Sequence, residues 1–171
     1  MAERGRLIKK VAALIEERVY HIAAALTLEV GKNRMEALGE VQETADFFNL
    51  YADDFVAHNG FDHRLPDDPL PAFRSHNRSV MKPYGVWLVI APYNFPFALT
   101  GGPVAAALVS GNTVVFKSPT DTPWSGRLLA DCLLDAGFPA GAFNYLNGSG
   151  SVVGESRVQH TGTAGIPFPG C

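Results

Sequence analysis

Three features of this sequence suit binding or catalysis: Asn94, Lys117 and a glycine-rich turn. Asn94 lies in PYNFP, where flanking prolines stiffen the turn and an amide N–H held there could stabilise an oxyanion. Lys117 follows a run of β-branched residues, and its ammonium could bind ribose hydroxyls or a phosphate. Each residue also has a simpler interpretation, because asparagine is common in turns and most lysines are solvated.

The glycine turn consists of Gly148, Gly150 and Gly154, which form the pattern G-x-G-x-x-x-G. Glycines let the backbone approach a ligand closely, and the N-terminus of a following helix favours an anion or a polar ring edge. The pattern is one residue longer than the usual dinucleotide-binding fingerprint, and it follows the third predicted strand rather than the first. A plain glycine turn is therefore at least as good an interpretation of these residues alone.

The paired aspartates and the histidines do not indicate a metal site. The candidate ligands are Asp53, Asp54, Asp67, Asp68, His58, His63 and His76. Adjacent carboxylates of this kind are usually solvated, and no cysteine or carboxylate stands at zinc-ligand spacing from the histidines. We expect no metal.

Composition excludes several classes of function. With 171 residues the chain is long enough for one domain, and a net charge of -3 gives no electrostatic basis for binding nucleic acid. No charged residue lies between Lys82 and Lys117, but prolines and glycines divide that stretch into pieces too short to span a bilayer. We expect no membrane segment, and the charged N-terminus does not resemble a signal peptide.

The two cysteines indicate a reducing compartment. Cys132 and Cys171 lack metal-ligand spacing, which is typical of a cytoplasmic protein. Cys132 stands among leucines in a predicted helix, where a buried thiol has a raised pKa and is inert.

Hydrophobic periodicity predicts an α/β protein. Two amphipathic helices come first, and the second has Met35, Phe48 and Phe55 in its buried stripe. Short apolar strands then alternate with helices, which indicates a parallel sheet with crossover helices. The predicted helices are 4–30, 33–56, 97–110, 124–136 and 151–159, and the predicted strands are 86–91, 113–116, 143–146 and 164–168. Thr122 is predicted to cap the helix that begins with Pro123.

These elements divide the chain into three segments of one domain. Residues 1–57 form the helical segment, 58–81 an extended arm, and 82–171 the segment with the parallel strands. Periodicity is lost in the arm, and residues 78–84 are predicted to form a strand that leads into the core. Ligands bind open α/β sheets at the carboxyl ends of the strands, so Asn94 and Lys117 are expected at that edge.

Taken together, the motifs resemble those of one family, the NAD(P)-dependent aldehyde dehydrogenases. The similarity rests on EVGK (29–32), GVWLVIAPYNFP, GNTVVFKSP, AGFPAGAFNYLNG, GSGSVVGE and the terminal GIPFPGC, and it covers nearly the whole chain. It implies a partial aldehyde dehydrogenase fold: two N-terminal helices followed by a Rossmann-like parallel βαβαβαβ sheet. It also implies NAD or NADP as cofactor, with residues 82–171 as the cofactor-binding segment.

The resemblance assigns roles to individual residues. In the family, a cysteine thiolate attacks the aldehyde, hydride passes to the nicotinamide, and water activated by a glutamate releases the acid. Asn94 matches the asparagine that holds the oxyanion, and Lys117 matches the lysine that binds the adenosine ribose. The other positions that match the cofactor site are Ile90, Ala91, Pro92, Tyr93, Thr120, Gly150 and Gly170.

Two departures from the family pattern affect the expected cofactor site. Thr120 replaces a glutamate that clasps both ribose hydroxyls, which leaves room for a 2′-phosphate and favours tolerance of NADP. In the turn that resembles F-T-G-S, Pro169 removes a backbone donor and Cys171 replaces a hydroxyl.

The family's nucleophilic cysteine and catalytic glutamate match no residue of this sequence. We therefore expect a fragment of an aldehyde dehydrogenase that is inactive alone and carries open apolar surface, which favours oligomerisation or a second chain as partner. The alternatives are a non-enzymatic nucleotide-binding or interaction module, half of a split enzyme, and a degenerate remnant without function.

Overall fold

The computed structural model describes residues 2–70 and 72–169. The helices are α1 (Ala2–Glu17), α2 (Val19–Val30), α3 (Arg34–Ala57), α4 (Ala98–Val109), α5 (Pro123–Ala136) and α6 (Glu155–Val158), and a π-helical turn (Gly150–Gly154) leads into α6. The strands are β1 (Asp62–Arg64), β2 (Arg78–Val80), β3 (Val86–Ile90), β4 (Thr113–Lys117), β5 (Phe143–Leu146) and β6 (Thr163–Gly165).

Four parallel strands form the central sheet in the order β5-β4-β3-β6. This order confirms the predicted α/β fold, because α4 and α5 connect neighbouring strands while the chain after β5 crosses to the far side of β3. The sheet is one layer of the fold. Helices α1, α3 and α4 pack together as the other, with Phe48, Phe55 and Phe97 fully or almost fully buried.

The first predicted helix is divided at Arg18. There the backbone leaves the helical region, with ψ at 13°, so that α1 and α2 are separate helices. The Arg18 guanidinium lies 2.6 Å from the Asp135 carboxylate, which ties the junction to α5. The prediction of one helix over 4–30 is therefore wrong at this point. The helical spacing of apolar residues is the same before and after Arg18, so the sequence pattern does not reveal the break.

Two further sequence expectations are wrong. Met35 is 78% exposed, whereas its predicted partners Phe48 and Phe55 are buried. The predicted strand over 78–84 is limited to β2, which is exposed and pairs antiparallel with β1 in a separate two-stranded sheet. An ion pair between Arg78 and Asp62 holds this hairpin together, and β2 does not enter the core.

Candidate functional site

Three strands of the sheet end in register. Lys117 at the end of β4 pairs with Ile90 of β3 on one side and with Leu146 of β5 on the other. The backbone N–H of Ile90 donates to the carbonyl of Pro167, 3.2 Å away, so the chain after β6 also runs alongside. We call this side of the sheet the carboxyl edge. The segments that follow all four strands meet there, as expected for a ligand site in an open α/β sheet.

Lys117 is buried at this edge, with 6% of its surface exposed. Burial lowers the pKa of its ammonium, and the nearby Asp121 carboxylate acts in the opposite direction. Among the described residues, no carboxylate forms an ion pair with Lys117. It is therefore not the solvated lysine of the simpler interpretation, and a buried cation without an ion-pair partner is a group that an external anion or hydroxyl would stabilise.

Thr120 and the glycine turn lie next to each other beyond Lys117. The Thr120 hydroxyl is 3.5 Å from the carbonyl oxygen of Gly148, and Ser118 donates its backbone N–H to Leu146. Gly148 has φ at +146°, a conformation that L side chains rarely adopt. A Cβ on Gly150 would meet no atom within 4 Å, so its backbone is open to a ligand.

Asn94 follows β3 in an exposed turn. Pro92 and Pro96 are buried on either side of it, while Tyr93 is 62% and Phe95 42% exposed. The prolines restrict the backbone, so the Asn94 amide is presented to solvent from a turn of limited freedom. Ile90 and Ala91, which lead into the turn, are half-buried and buried.

Sequence reasoning missed two residues that hold this turn. One Glu40 oxygen accepts hydrogen bonds from the backbone N–H groups of Phe97 and Ala98, at 2.8 and 3.1 Å. The other Glu40 oxygen lies 2.5 Å from the Lys32 ammonium. A signal was present in the sequence: Glu40 interrupts the apolar face of α3 that includes Ala37, and a charge on a buried face requires partners.

Residues 1–171 match the Aldehyde dehydrogenase family along their whole length. The chain belongs to this family.

Two curated aldehyde dehydrogenase relatives illustrate the match. The chain is 37% identical to the NADP-dependent glyceraldehyde-3-phosphate dehydrogenase of Streptococcus equinus, an alignment that covers 98% of this chain and 35% of the relative. It is also 37% identical to the 1-pyrroline-5-carboxylate dehydrogenase of Geobacillus thermodenitrificans, with 98% and 32% covered. The chain thus spans about a third of the length of these curated relatives.

A solved aldehyde dehydrogenase structure confirms the fold. The NADP-dependent glyceraldehyde-3-phosphate dehydrogenase of Bacillus halodurans, solved in complex with NADP, superposes with a TM-score of 0.87 at 38% identity. The match covers 96% of this chain and 35% of that one. It supports the Rossmann-like, NAD(P)-binding character of the parallel sheet in this member of the family.

Cys132 is not placed to serve as an aldehyde dehydrogenase nucleophile. Its side chain is fully buried in α5, and burial raises the pKa of the thiol from 9.0 to about 11, although the Arg18 guanidinium opposes the shift. A thiol in this state carries almost no thiolate at neutral pH.

The candidate site residue Gly170, together with Cys171, lies outside the described residues.

Two other kinds of site are absent from the described part of the chain. Within residues 2–70 and 72–169, no group of three or more His, Cys, Asp or Glu side chains is arranged to hold a metal ion. Across the same residues, no helix combines the length and the apolar character needed to cross a membrane.

Proposed function

We propose that this chain supplies the cofactor-binding edge and the oxyanion-binding amide of an enzyme that oxidises an aldehyde to a carboxylic acid with NAD or NADP. One observation carries the proposal. Lys117 is buried at the carboxyl edge, in register with the ends of β3 and β5, and no described residue forms an ion pair with it. Its position matches the family's ribose-binding lysine.

The residues at the carboxyl edge fit the adenosine end of a dinucleotide. The Lys117 ammonium would donate hydrogen bonds to the ribose hydroxyls, which would replace the solvation that burial removes. Gly150 leaves its backbone open to the ligand. The chain from Ile90 to Tyr93 borders the same site, and we place Gly170 there on the resemblance alone. When bound, the cofactor supplies the nicotinamide ring that accepts hydride.

Thr120 bears on the choice between NAD and NADP. A glutamate at this position would repel the 2′-phosphate of NADP, whereas the neutral, exposed threonine does not. The relatives named NADP-dependent support the same choice. We propose that the site accepts NADP as well as NAD.

Asn94 acts on the other reactant. When a cysteine thiolate adds to the aldehyde carbon, the carbonyl oxygen gains a negative charge. The Asn94 side-chain N–H would donate a hydrogen bond to that oxygen and lower the barrier, since Pro92 and Pro96 restrict the turn that presents it. The removal of one such donor costs about 2.7–4 kcal/mol in other enzymes.

We propose that these 171 residues alone do not turn over an aldehyde. Cys132 is buried with a raised pKa, and Cys171 matches a position in the cofactor turn rather than the nucleophile. Further sequence or a partner chain that contains the missing cysteine and glutamate would then complete the site. The segments 1–57, 58–81 and 82–171 form one domain in this proposal, in the cytoplasm. The alternative is a nucleotide-binding or interaction module without catalysis.

Cofactor titration tests the binding part of the proposal. NADP⁺ and NAD⁺ are titrated into the 171-residue protein by calorimetry, and Lys117→Met should weaken binding by about tenfold or more, since a charge-assisted hydrogen bond contributes about 1.5–3 kcal/mol. Lys82→Met is the matched control, because Lys82 is exposed and precedes β3 at the opposite edge. Absence of saturable binding by the unmodified protein would contradict the proposal.

A second assay addresses turnover. NADPH or NADH formation is followed by the absorbance of the reduced nicotinamide ring, with several aldehydes and the purified chain. We expect no cysteine-dependent signal. Co-purification of a chain that restores turnover would support the split-enzyme interpretation, whereas saturable cofactor binding without any restoring partner would favour the module.

A further inference from the structure

A buried ion pair underlies the turn that carries Asn94. The side chain of Glu40 is fully buried and that of Lys32 is 8% exposed, and their charged atoms lie 2.5 Å apart. Glu40 comes from α3, whereas Lys32 follows the end of α2. Neither residue belongs to the sheet or to the segments that meet at the carboxyl edge.

The pair holds the turn from the C-terminal side of its exposed asparagine. Glu40 accepts the backbone N–H groups of Phe97 and Ala98, which begin α4 directly after the turn. Lys32 places its ammonium 3.3 Å from the centroid of the Phe95 ring, a cation–π contact with the residue next to Asn94. One charge therefore fixes the helix that the turn enters, and the other fixes the neighbouring side chain.

Stability alone is a poor explanation for this arrangement. The burial of two charges removes their hydration, and well-packed apolar residues of similar volume often give equal or greater stability. Apolar residues could not, however, accept two N–H groups at the start of α4 and attract the face of Phe95. The specific effect of the pair is on the geometry of the turn.

We propose that Lys32 and Glu40 are positioning residues that hold the Asn94 turn, residues 92–96, in the conformation needed for oxyanion binding. The inference rests on the proposed function of Asn94. The pair itself touches no reacting atom and acts through the backbone of α4 and through Phe95.

The test compares the order of this turn in variants that remain folded. Backbone ¹⁵N relaxation and the heteronuclear NOE of Asn94 and Phe95 are measured in the full 171-residue protein. Lys32→Met combined with Glu40→Gln removes both charges while an amide oxygen can still cap α4. We expect loss of the high NOE values at Asn94 and Phe95, with the melting temperature near that of the parent.

Two further variants separate positioning from general structure. Lys32→Arg keeps the charge and the ring contact, and it should retain the order of the turn. Lys9→Met combined with Asp53→Asn removes another lysine–carboxylate pair, an exposed one that links α1 to α3, and should leave the turn unchanged. Equal relaxation in the folded Lys32/Glu40 variant and the parent would overturn the proposal. A Lys32/Glu40 variant that does not fold would also overturn it, because the pair would then serve the whole fold.

Titration of the same variants with NADP⁺ keeps this proposal distinct from the proposed function. The Lys32/Glu40 variant should still bind NADP⁺, and more tightly than Lys117→Met does, because Lys117 is untouched. If no variant binds NADP⁺ but the relaxation changes as expected, the proposed function fails while the role of the pair in the turn stands.

Discussion

The carboxylate of Glu29 caps helix α5 through Ser125. One Glu29 oxygen accepts the backbone N–H of Ser125 at 2.7 Å and also its hydroxyl, while the other accepts the N–H of Trp124 at 2.7 Å. Glu29 and Lys32 belong to one short turn around the end of α2. This turn therefore contacts the start of α5 and, through Glu40, the start of α4. Helix α4 follows the turn that contains Asn94, and α5 follows the strand that ends at Lys117. One turn at the end of α2 therefore contacts the helices that come after both candidate site residues.

Replacement of Glu29 should destabilise the fold. Glu29→Ala leaves the N–H groups of Trp124 and Ser125 without their acceptor, and loss of a helix cap costs about 1–2 kcal/mol. The free energy of unfolding is measured by urea denaturation. Glu43→Ala is the control, because Glu43 is exposed on α3, and it should change stability by less than about 0.5 kcal/mol. Equal denaturation midpoints for the two variants would contradict the capping role.

The same helix shows the limit of local sequence signals. Thr122 occupies the predicted N-cap position before Pro123, but its buried hydroxyl has no hydrogen-bond partner among the described residues. Glu29 makes the cap instead, although it lies 95 positions before Trp124 in the sequence. A capping pattern read from adjacent residues cannot identify an acceptor that only tertiary packing brings to the helix.

The sheet, in contrast, was predictable because its strands are marked by local sequence patterns. Strands β3 and β4 are apolar runs bounded by polar turns, and Asn94 and Lys117 stand where those runs end. That pattern needs no long-range information beyond the rule that parallel strands share a carboxyl edge. The burial of Lys117 and the Lys32–Glu40 pair were not predictable, because both depend on which helix packs against which strand end.

Cys132 should make stability fall at alkaline pH. Burial raises the pKa of its thiol from 9.0 to about 11, so between these values the unfolded chain releases a proton that the folded chain retains. The contribution of the Cys132 thiol to the free energy of unfolding is complete below pH 9 and declines as the pH rises toward 11. At pH 11 about 2 kcal/mol of it is lost.

Comparison with Cys132→Ala isolates this effect from the titration of lysines and tyrosines. Urea denaturation of both proteins from pH 8 to pH 11, each with Cys171→Ser, should show the parent losing its advantage over Cys132→Ala by roughly 2 kcal/mol. A difference that stays constant with pH would show that the Cys132 thiol titrates normally in the folded protein.

Thr120→Glu should change the preference between the two cofactors. A carboxylate there would repel the 2′-phosphate of NADP and could accept hydrogen bonds from the ribose hydroxyls of NAD. We expect the ratio of the NADP⁺ and NAD⁺ dissociation constants to shift toward NAD⁺ by about tenfold, equivalent to about 1.4 kcal/mol. Thr161→Glu adds the same charge in an exposed loop before β6, at the opposite edge, and serves as the control. An equal shift in both variants would argue against a site beside Thr120.

Close contact between α3 and α4 should make Gly101 intolerant of any side chain. A Cβ on Gly101 would lie 2.3 Å from Cγ2 of Thr44, so Gly101→Ala should cost about 1–3 kcal/mol of unfolding free energy. Gly39→Ala, in an exposed part of α3 where a Cβ meets nothing within 4 Å, should instead add about 0.5–1 kcal/mol.

A compensating variant shows whether the Gly101–Thr44 contact is the cause. Thr44→Ser removes the clashing methyl group and keeps the hydroxyl that donates to the carbonyl of Glu40 at 2.8 Å. Combined with Gly101→Ala, it should recover most of the lost stability in urea denaturation, because neighbouring substitutions that share one contact are not additive. Additive losses would place the strain elsewhere. Recovery would show that α4 is seated on α3 through this contact, one turn beyond the N–H groups that Glu40 accepts.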